Sequence, residues 1–151
     1  MVGSGSTEGA RLMTGGKRPG GSDFKRGYWI EPTVFADVKP SMKIAREEIF
    51  GPVLSVFSWR DESEVIALAN ATEYGLTASI LTNDIRTALR AARAVKSGYV
   101  WINGASGHFY GTPFGGFKNS GIGREEGIDE LLSYTEVKTV HVMLGDGQVK
   151  D

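Results

Sequence analysis

The chain has 151 residues and a mass of 16.3 kDa, room for one ordinary domain but tight for an enzyme carrying both a dinucleotide fold and a substrate site. Its 17 lysines and arginines against 18 aspartates and glutamates leave a net charge of −1, so no basic field exists to hold nucleic acid or an anionic membrane surface. Cysteine is absent while glycine reaches 21 residues; the first excludes disulfides, thiolate metal sites and a cysteine nucleophile within these residues, and the second is high against the usual ~7%.

Residues 1–9 are small and polar and read as a flexible lead, with no apolar stretch of a secretory signal. A short strand is expected at 10–14, followed by a glycine-rich loop through Gly27. Residues 28–35 are aromatic and β-branched and should be extended, with Pro32 confining them to an edge or a break. Residues 53–57 form a short apolar strand, after which Asp61 with Glu64 three residues later opens a helix whose buried face is Val65, Ile66, Leu68 and Ala69. A strand at 76–81 leads to a second helix capped by Asn83 or Asp84, with Ile85, Ala88, Leu89, Ala92 and Val95 at helical spacing before Gly98.

Arg86, Arg90, Arg93 and Lys96 share the opposite side of that helix, either as an anion site or as a solvated face. Residues 99–103 form a third buried strand, 125–132 a helix and 139–144 a half-buried strand in which Val140, Val142 and Leu144 alternate with more polar neighbours. Strands alternating with helices define an α/β layer with crossover connections. No run approaches the ~20 apolar residues of a membrane span, so a soluble cytoplasmic protein is expected.

The glycine cluster at 115–123 fails both nucleotide-loop patterns. A phosphate loop places Lys and then Ser or Thr directly after its second glycine, whereas Gly121 is followed by Ile122 and Gly123. Glu126 stands where the dinucleotide fingerprint has its third glycine. A tight turn that lets backbone pack closely is the remaining reading. The two histidines, His108 and His141, have no second ligand at metal spacing, so no metal is expected. His108 lies beside Phe109 and Tyr110 in a loop at 104–112, which suits either a small-molecule pocket wall or a plain surface loop.

At 46–52, Glu47 and Glu48 read as adjacent helical carboxylates, whose side chains diverge by about 100°, so only one can face inward. A carboxylate accepts two hydrogen bonds at once, which suits a vicinal diol such as ribose, and an aromatic two residues later can lie against a flat ring. A helix end with two solvated acids is the alternative.

Five ordered blocks carry a wider pattern: GYWIEPTVF at 27–35, EEIFGPV at 47–53, YGL at 74–76, GYVWIN at 98–103 and PFGGFKNSG at 113–121. In order and spacing they resemble the C-terminal part of the NAD(P)-dependent aldehyde dehydrogenases, over about residues 10–144. The resemblance implies an α/β class, a three-layer fragment of the aldehyde dehydrogenase catalytic domain, with a partial catalytic domain at 10–138, a C-terminal oligomerisation strand at 139–144 and a tail at 145–151. It implies NAD or NADP as cofactor, with Glu48 on the nicotinamide-ribose hydroxyls and Phe50 against the nicotinamide. Ser106, Gly107, His108, Phe109 and Phe114 are implied as wall of the aldehyde tunnel. The family's thiolate nucleophile, its glutamate base and its dinucleotide-binding fold belong to an N-terminal portion not contained in these residues, so no catalytic residue is assigned. The partners implied are an aldehyde, the dinucleotide, that N-terminal portion or full-length subunits, and a second copy of the chain. The reading from a different class is a non-enzymatic interaction module that associates through the terminal strand.

Overall fold

The computed structural model describes residues 1–143 and Gly145. Its first unit is a three-stranded sheet in the order β1-β2-β3, built from β1 (Arg11–Thr14), β2 (Thr33–Ala36) and β3 (Val53–Ser55). β2 starts directly after Pro32, runs antiparallel to β1 and parallel to β3, and pairs Phe35 with Leu12 on one side and Ser55 on the other. Phe35 is fully buried and centres a core with Ala10, Val38, Met42 and Ile44. Ile44 comes from α2 (Lys43–Arg46). Buried Thr33 keeps its hydroxyl satisfied, donating to the Glu31 carbonyl at 2.7 Å and accepting from the Gly16 N–H at 2.8 Å.

The lead is ordered. α1 (Val2–Thr7) replaces the flexible 1–9 segment that composition predicts. Gly5 contributes: a Cβ there would stand 3.0 Å from the Phe35 ring and from Ile44 Cδ1, tighter than ordinary contact, and its lack of a side chain lets the helix lie close over the core. The Glu8 carboxylate then accepts the Lys43 N–H at 2.6 Å, tying the helix end to α2. Tertiary packing overrides a poor local propensity.

α3 (Glu62–Asn70) begins as expected, with Asp61 accepting the Glu64 N–H at 3.0 Å. α4 (Ile85–Ala94) is capped by Asp84, which accepts from Arg86 N–H and the Thr87 hydroxyl. β4 (Tyr74–Gly75) pairs antiparallel with β7 (Phe117–Lys118), while β5 (Thr77–Ile80) pairs in parallel with β6 (Tyr99–Ile102) through the α4 crossover. α5 (Ile128–Ser133) starts three residues later than the sequence suggests, after Gly127. The basic row on α4 is partly spent internally, because Arg90 grips both Glu62 oxygens across the α3–α4 contact. The α/β class stands.

Several faces expected to be buried are open. Val65, Ile66 and Leu68 are half-buried and Ala69 is exposed. On α4, Ala88 and Ala91 are buried while Ile85 and Leu89 remain 63% and 46% exposed. A two-stranded parallel sheet is covered on both faces in complete proteins, and among the described residues β5 and β6 have no further strand beside them. Residues 139–143 form no strand and are exposed, which corrects the half-buried strand; Leu144, and the 145–151 tail apart from Gly145, lie outside the described residues. No described helix is long and apolar enough to cross a membrane.

The cap network makes an acid-sensitive prediction. Asp61 is held below its ordinary 3.8 by the Ser63 hydroxyl and then the Glu64 N–H. Asp84 is lowered by the Thr87 hydroxyl and then the Arg86 N–H, and Glu62 by its bond from Arg90. Depressed carboxylate values contribute stability that is present above the unfolded values and lost as pH falls through the folded ones. The helicity of α3 and α4 should therefore hold to about pH 4 and decline below it. Circular dichroism of the chain beside D61A/D84A checks this, since the double variant should have lower helicity at neutral pH and a shallower acid transition.

Candidate functional site

α2 ends at Arg46, and Glu47 is already extended, with φ −103° and ψ 142°. This corrects the reading of Glu47 and Glu48 as neighbours on a helix. Glu47 and Glu48 both line one groove of about 580 Å³, which Tyr74, Asn119, Ser120 and Gly121 also line. Glu47 does not point elsewhere, but it is occupied by an ion pair with Lys43 at 3.5 Å. Glu48 is exposed and makes no side-chain hydrogen bond among the described residues, leaving its oxygens available to a donor.

Phe50 directly precedes a tight turn over Gly51–Val53, closed by the Val53 N–H on the Gly51 carbonyl at 2.7 Å, and is not itself part of the groove wall. Its φ is +49° and its side chain is 92% exposed. A bulky residue in left-handed backbone, turned to solvent, is costly unless the position is used.

The wall at 119–121 is fixed from several directions. Lys118 donates to the carbonyls of Asn70 and Thr72 at 3.0 and 2.9 Å, capping the end of α3. Ser120 accepts the Gly75 N–H through its hydroxyl at 2.9 Å, a structural use of that oxygen. The sequence reading of 115–123 as a close-packing turn is met at Gly116, where an added Cβ would strike the Ser120 backbone, and at Gly98, where one would strike the backbone of Gly115.

The same segment reaches a second cluster through Phe114. The His108 ring stacks on Phe114 at 4.5 Å and 29° and on Trp101 at 5.8 Å and 22°, with Tyr99 at 5.3 Å. Trp101 Nε1 donates to the Gly107 carbonyl at 2.6 Å, and Ser106 holds φ +64°. Glu126 places both carboxylate oxygens within 2.9 Å of His108 Nδ1. Ser106, Gly107, His108 and Phe114 are thus brought together, whereas Phe109 is 77% exposed. Sequence reasoning missed Glu126, 18 residues from its partner, and took Tyr99 and Trp101 only as strand core. His141 is exposed in the segment without a strand.

The described residues thus form an α/β layer with an open groove lined by Glu47 and Glu48 beside a glycine-tight loop. The chain belongs to the aldehyde dehydrogenase family, whose model matches residues 1–140. It is 54% identical over 147 residues to the aldehyde dehydrogenase tropH of Talaromyces stipitatus, covering 95% of this chain and 28% of that protein. It is 52% identical over 141 residues to a betaine aldehyde dehydrogenase of Brucella anthropi, covering 93% of this chain and 29% of that one. In structure it matches an NAD-dependent aldehyde dehydrogenase from Sinorhizobium meliloti with a TM-score of 0.85 at 47% identity, over 95% of this chain and 28% of the other. A Mycobacterium tuberculosis aldehyde dehydrogenase complexed with NAD+ gives 0.85 at 44% identity, over 95% and 29%. The chain therefore spans a little over a quarter of the length of these relatives.

Proposed function

We propose that this chain is the C-terminal catalytic-domain segment of an NAD(P)-dependent aldehyde dehydrogenase, supplying nicotinamide-ribose contacts and part of the aldehyde wall. The observation that carries this is Glu48, exposed in an open groove and lacking a hydrogen-bond partner among the described residues. Its two oxygens fit the adjacent hydroxyls of a ribose, and the exposed Phe50 ring two residues on offers a flat apolar surface for the attached heterocycle. These groups fit one end of NAD or NADP and none of the other. The dinucleotide, when bound, accepts hydride from the aldehyde carbon; Glu48 orients the ribose, and His108, Phe109 and Phe114 shape the approach of the aldehyde. The nucleophilic thiol comes from outside these 151 residues, which hold no cysteine.

Mixing this chain with the N-terminal portion of an aldehyde dehydrogenase is expected to restore aldehyde-dependent formation of reduced nicotinamide. Glu48→Gln in that mixture should raise the KM for the dinucleotide and lower kcat, by roughly tenfold in kcat/KM for ~1.5 kcal/mol of a charge-assisted bond. Assembly without turnover would remove the enzymatic reading. A second prediction concerns the loop. Replacing His108 and Phe109 together should change the ratio of kcat/KM for small against bulky aldehydes, and an unchanged ratio would remove the wall assignment.

The alternative, a non-enzymatic module that joins copies of itself or full-length subunits, is favoured by one feature. Val140, Val142 and Met143 are 71%, 67% and 73% exposed in a segment that forms no strand among the described residues, and alternating apolar residues there suit a strand added to another chain's sheet. Self-association in sedimentation at tens of micromolar, abolished by V140K/V142K, is the expected result. A clean monomer would count against this use of the segment.

A further inference from the structure

The pair His108–Glu126 lies outside the ribose groove and has no part in the blocks that carry the family resemblance. We infer that Glu126 is a positioning residue which locks His108 in one tautomer, and that the loop therefore selects aldehydes bearing a hydroxyl away from the reacting carbon. This rests on the reading of residues 104–112 as aldehyde wall and names the substrate class for it.

The chemistry follows from what each atom can do. A carboxylate only accepts hydrogen bonds, so an Nδ1 lying 2.8 and 2.9 Å from its two oxygens carries the proton and donates it. In the neutral ring this leaves Nε2 with a lone pair and no proton. Two near-parallel aromatic neighbours, Phe114 at 29° and Trp101 at 22°, fix the ring plane, and the Trp101 bond to the Gly107 carbonyl anchors the preceding residue. Glu126 is itself restrained: it sits at φ +62°, and its N–H donates to Glu130 at 2.7 Å. The direction of the Nε2 lone pair is therefore built in, at no ordering cost when a ligand arrives.

That lone pair is reachable. The His108 side chain is 30% exposed, and Nε2 has no protein partner among the described residues, since every His108 hydrogen bond there is made by Nδ1. An acceptor beside the aromatic surfaces of Tyr99 and Phe114 matches a ligand with an apolar body and a hydroxyl donor. A site built to bond a hydroxyl rejects the analogue lacking it more strongly than an apolar pocket rejects an added group. An apolar aldehyde of the same size would leave Nε2 desolvated and unpaired.

The chain carries only two histidines, so [15N]histidine labelling reports two rings, and H141Q assigns them. In the neutral ring, His108 is expected to show a protonated Nδ1 and an unprotonated Nε2. Glu126→Leu, which removes the acceptor, should lose the Nδ1-protonated preference; Glu126→Asp, which keeps a carboxylate, should retain it. The unreactive probes 4-hydroxy-2-butanone and 2-pentanone differ by hydroxyl against methyl. The first should shift the Nε2 resonance at least about threefold more than the second, and the difference should vanish in Glu126→Leu. An Nε2-protonated ring in the unsubstituted chain, an unaltered tautomer in Glu126→Leu, or equal responses to the two probes would overturn the inference. These signals are read in the chain itself, so they fail independently of the mixing experiment, whose own failure is an absence of turnover.

Discussion

Incubated alone with NAD+ or NADP+ and an aldehyde, the 151-residue polypeptide is expected to form no reduced nicotinamide above the uncatalysed rate, and to bind either dinucleotide no tighter than millimolar. Two shortfalls set this. Covalent attachment of the aldehyde needs a nucleophile, and there is no cysteine; the serine in the glycine-rich segment, Ser120, uses its oxygen to accept the Gly75 N–H and has no histidine beside it. Hydride would have to leave an unactivated hydrate. For binding, Glu48 and Phe50 offer one diol contact and one ring surface, each contributing ~1 to 3 kcal/mol. Association costs ~4 kcal/mol or more before any side chain is ordered. A net value near or below 4 kcal/mol corresponds to millimolar affinity. Titration calorimetry beside absorbance of the reduced nicotinamide measures both quantities. Micromolar binding or measurable turnover would reveal a site unlike the groove at Glu48.

What was legible in the sequence divides by the range of the interaction that fixes it. Asp61 was readable as a helix cap, and the second cap was narrowed to Asn83 or Asp84, of which Asp84 caps α4, because a cap acts within three residues. The strands at 53–55 and 99–102 were readable because short β-branched and aromatic runs between turn signals have few other uses. α1 was not readable, since its formation depends on Phe35 and Ile44 meeting Gly5 from far along the chain. The helix expected through Glu47 and Glu48 ends at Arg46, with Glu47 extended and Phe50 left-handed before the Gly51–Pro52 turn. Glu126 was invisible because its partner is distant and its own backbone conformation is unusual for a glutamate. Helix faces read as buried came out half-covered, because periodicity shows that a face seeks cover without showing which residues cover it.

Phe35→Ala should abolish cooperative unfolding of the β1-β2-β3 unit. Phe35 is fully buried, and its ring is the surface on which Ala10, Val38, Met42 and Ile44 converge and against which Gly5 brings α1. Truncating a buried phenylalanine costs ~3 to 5 kcal/mol, transfer and cavity together. An ordinary domain has only ~5 to 15 kcal/mol in all, and a chain that leaves Leu54, Trp59, Leu81 and Ile85 more than half exposed has less buried surface to draw on. The consequence reaches the groove, because Ile44 seats α2, and Arg46, Glu47 and Glu48 continue directly from it. Urea titration followed by circular dichroism should show a flattened transition for Phe35→Ala. Tyr110→Ala, at an equally aromatic but fully exposed position, should stay within about 0.5 kcal/mol of the unsubstituted chain. Equal midpoints for the two variants would mean that this core does not hold the unit together, and the placement of Glu48 would then have no support from the packing beneath it.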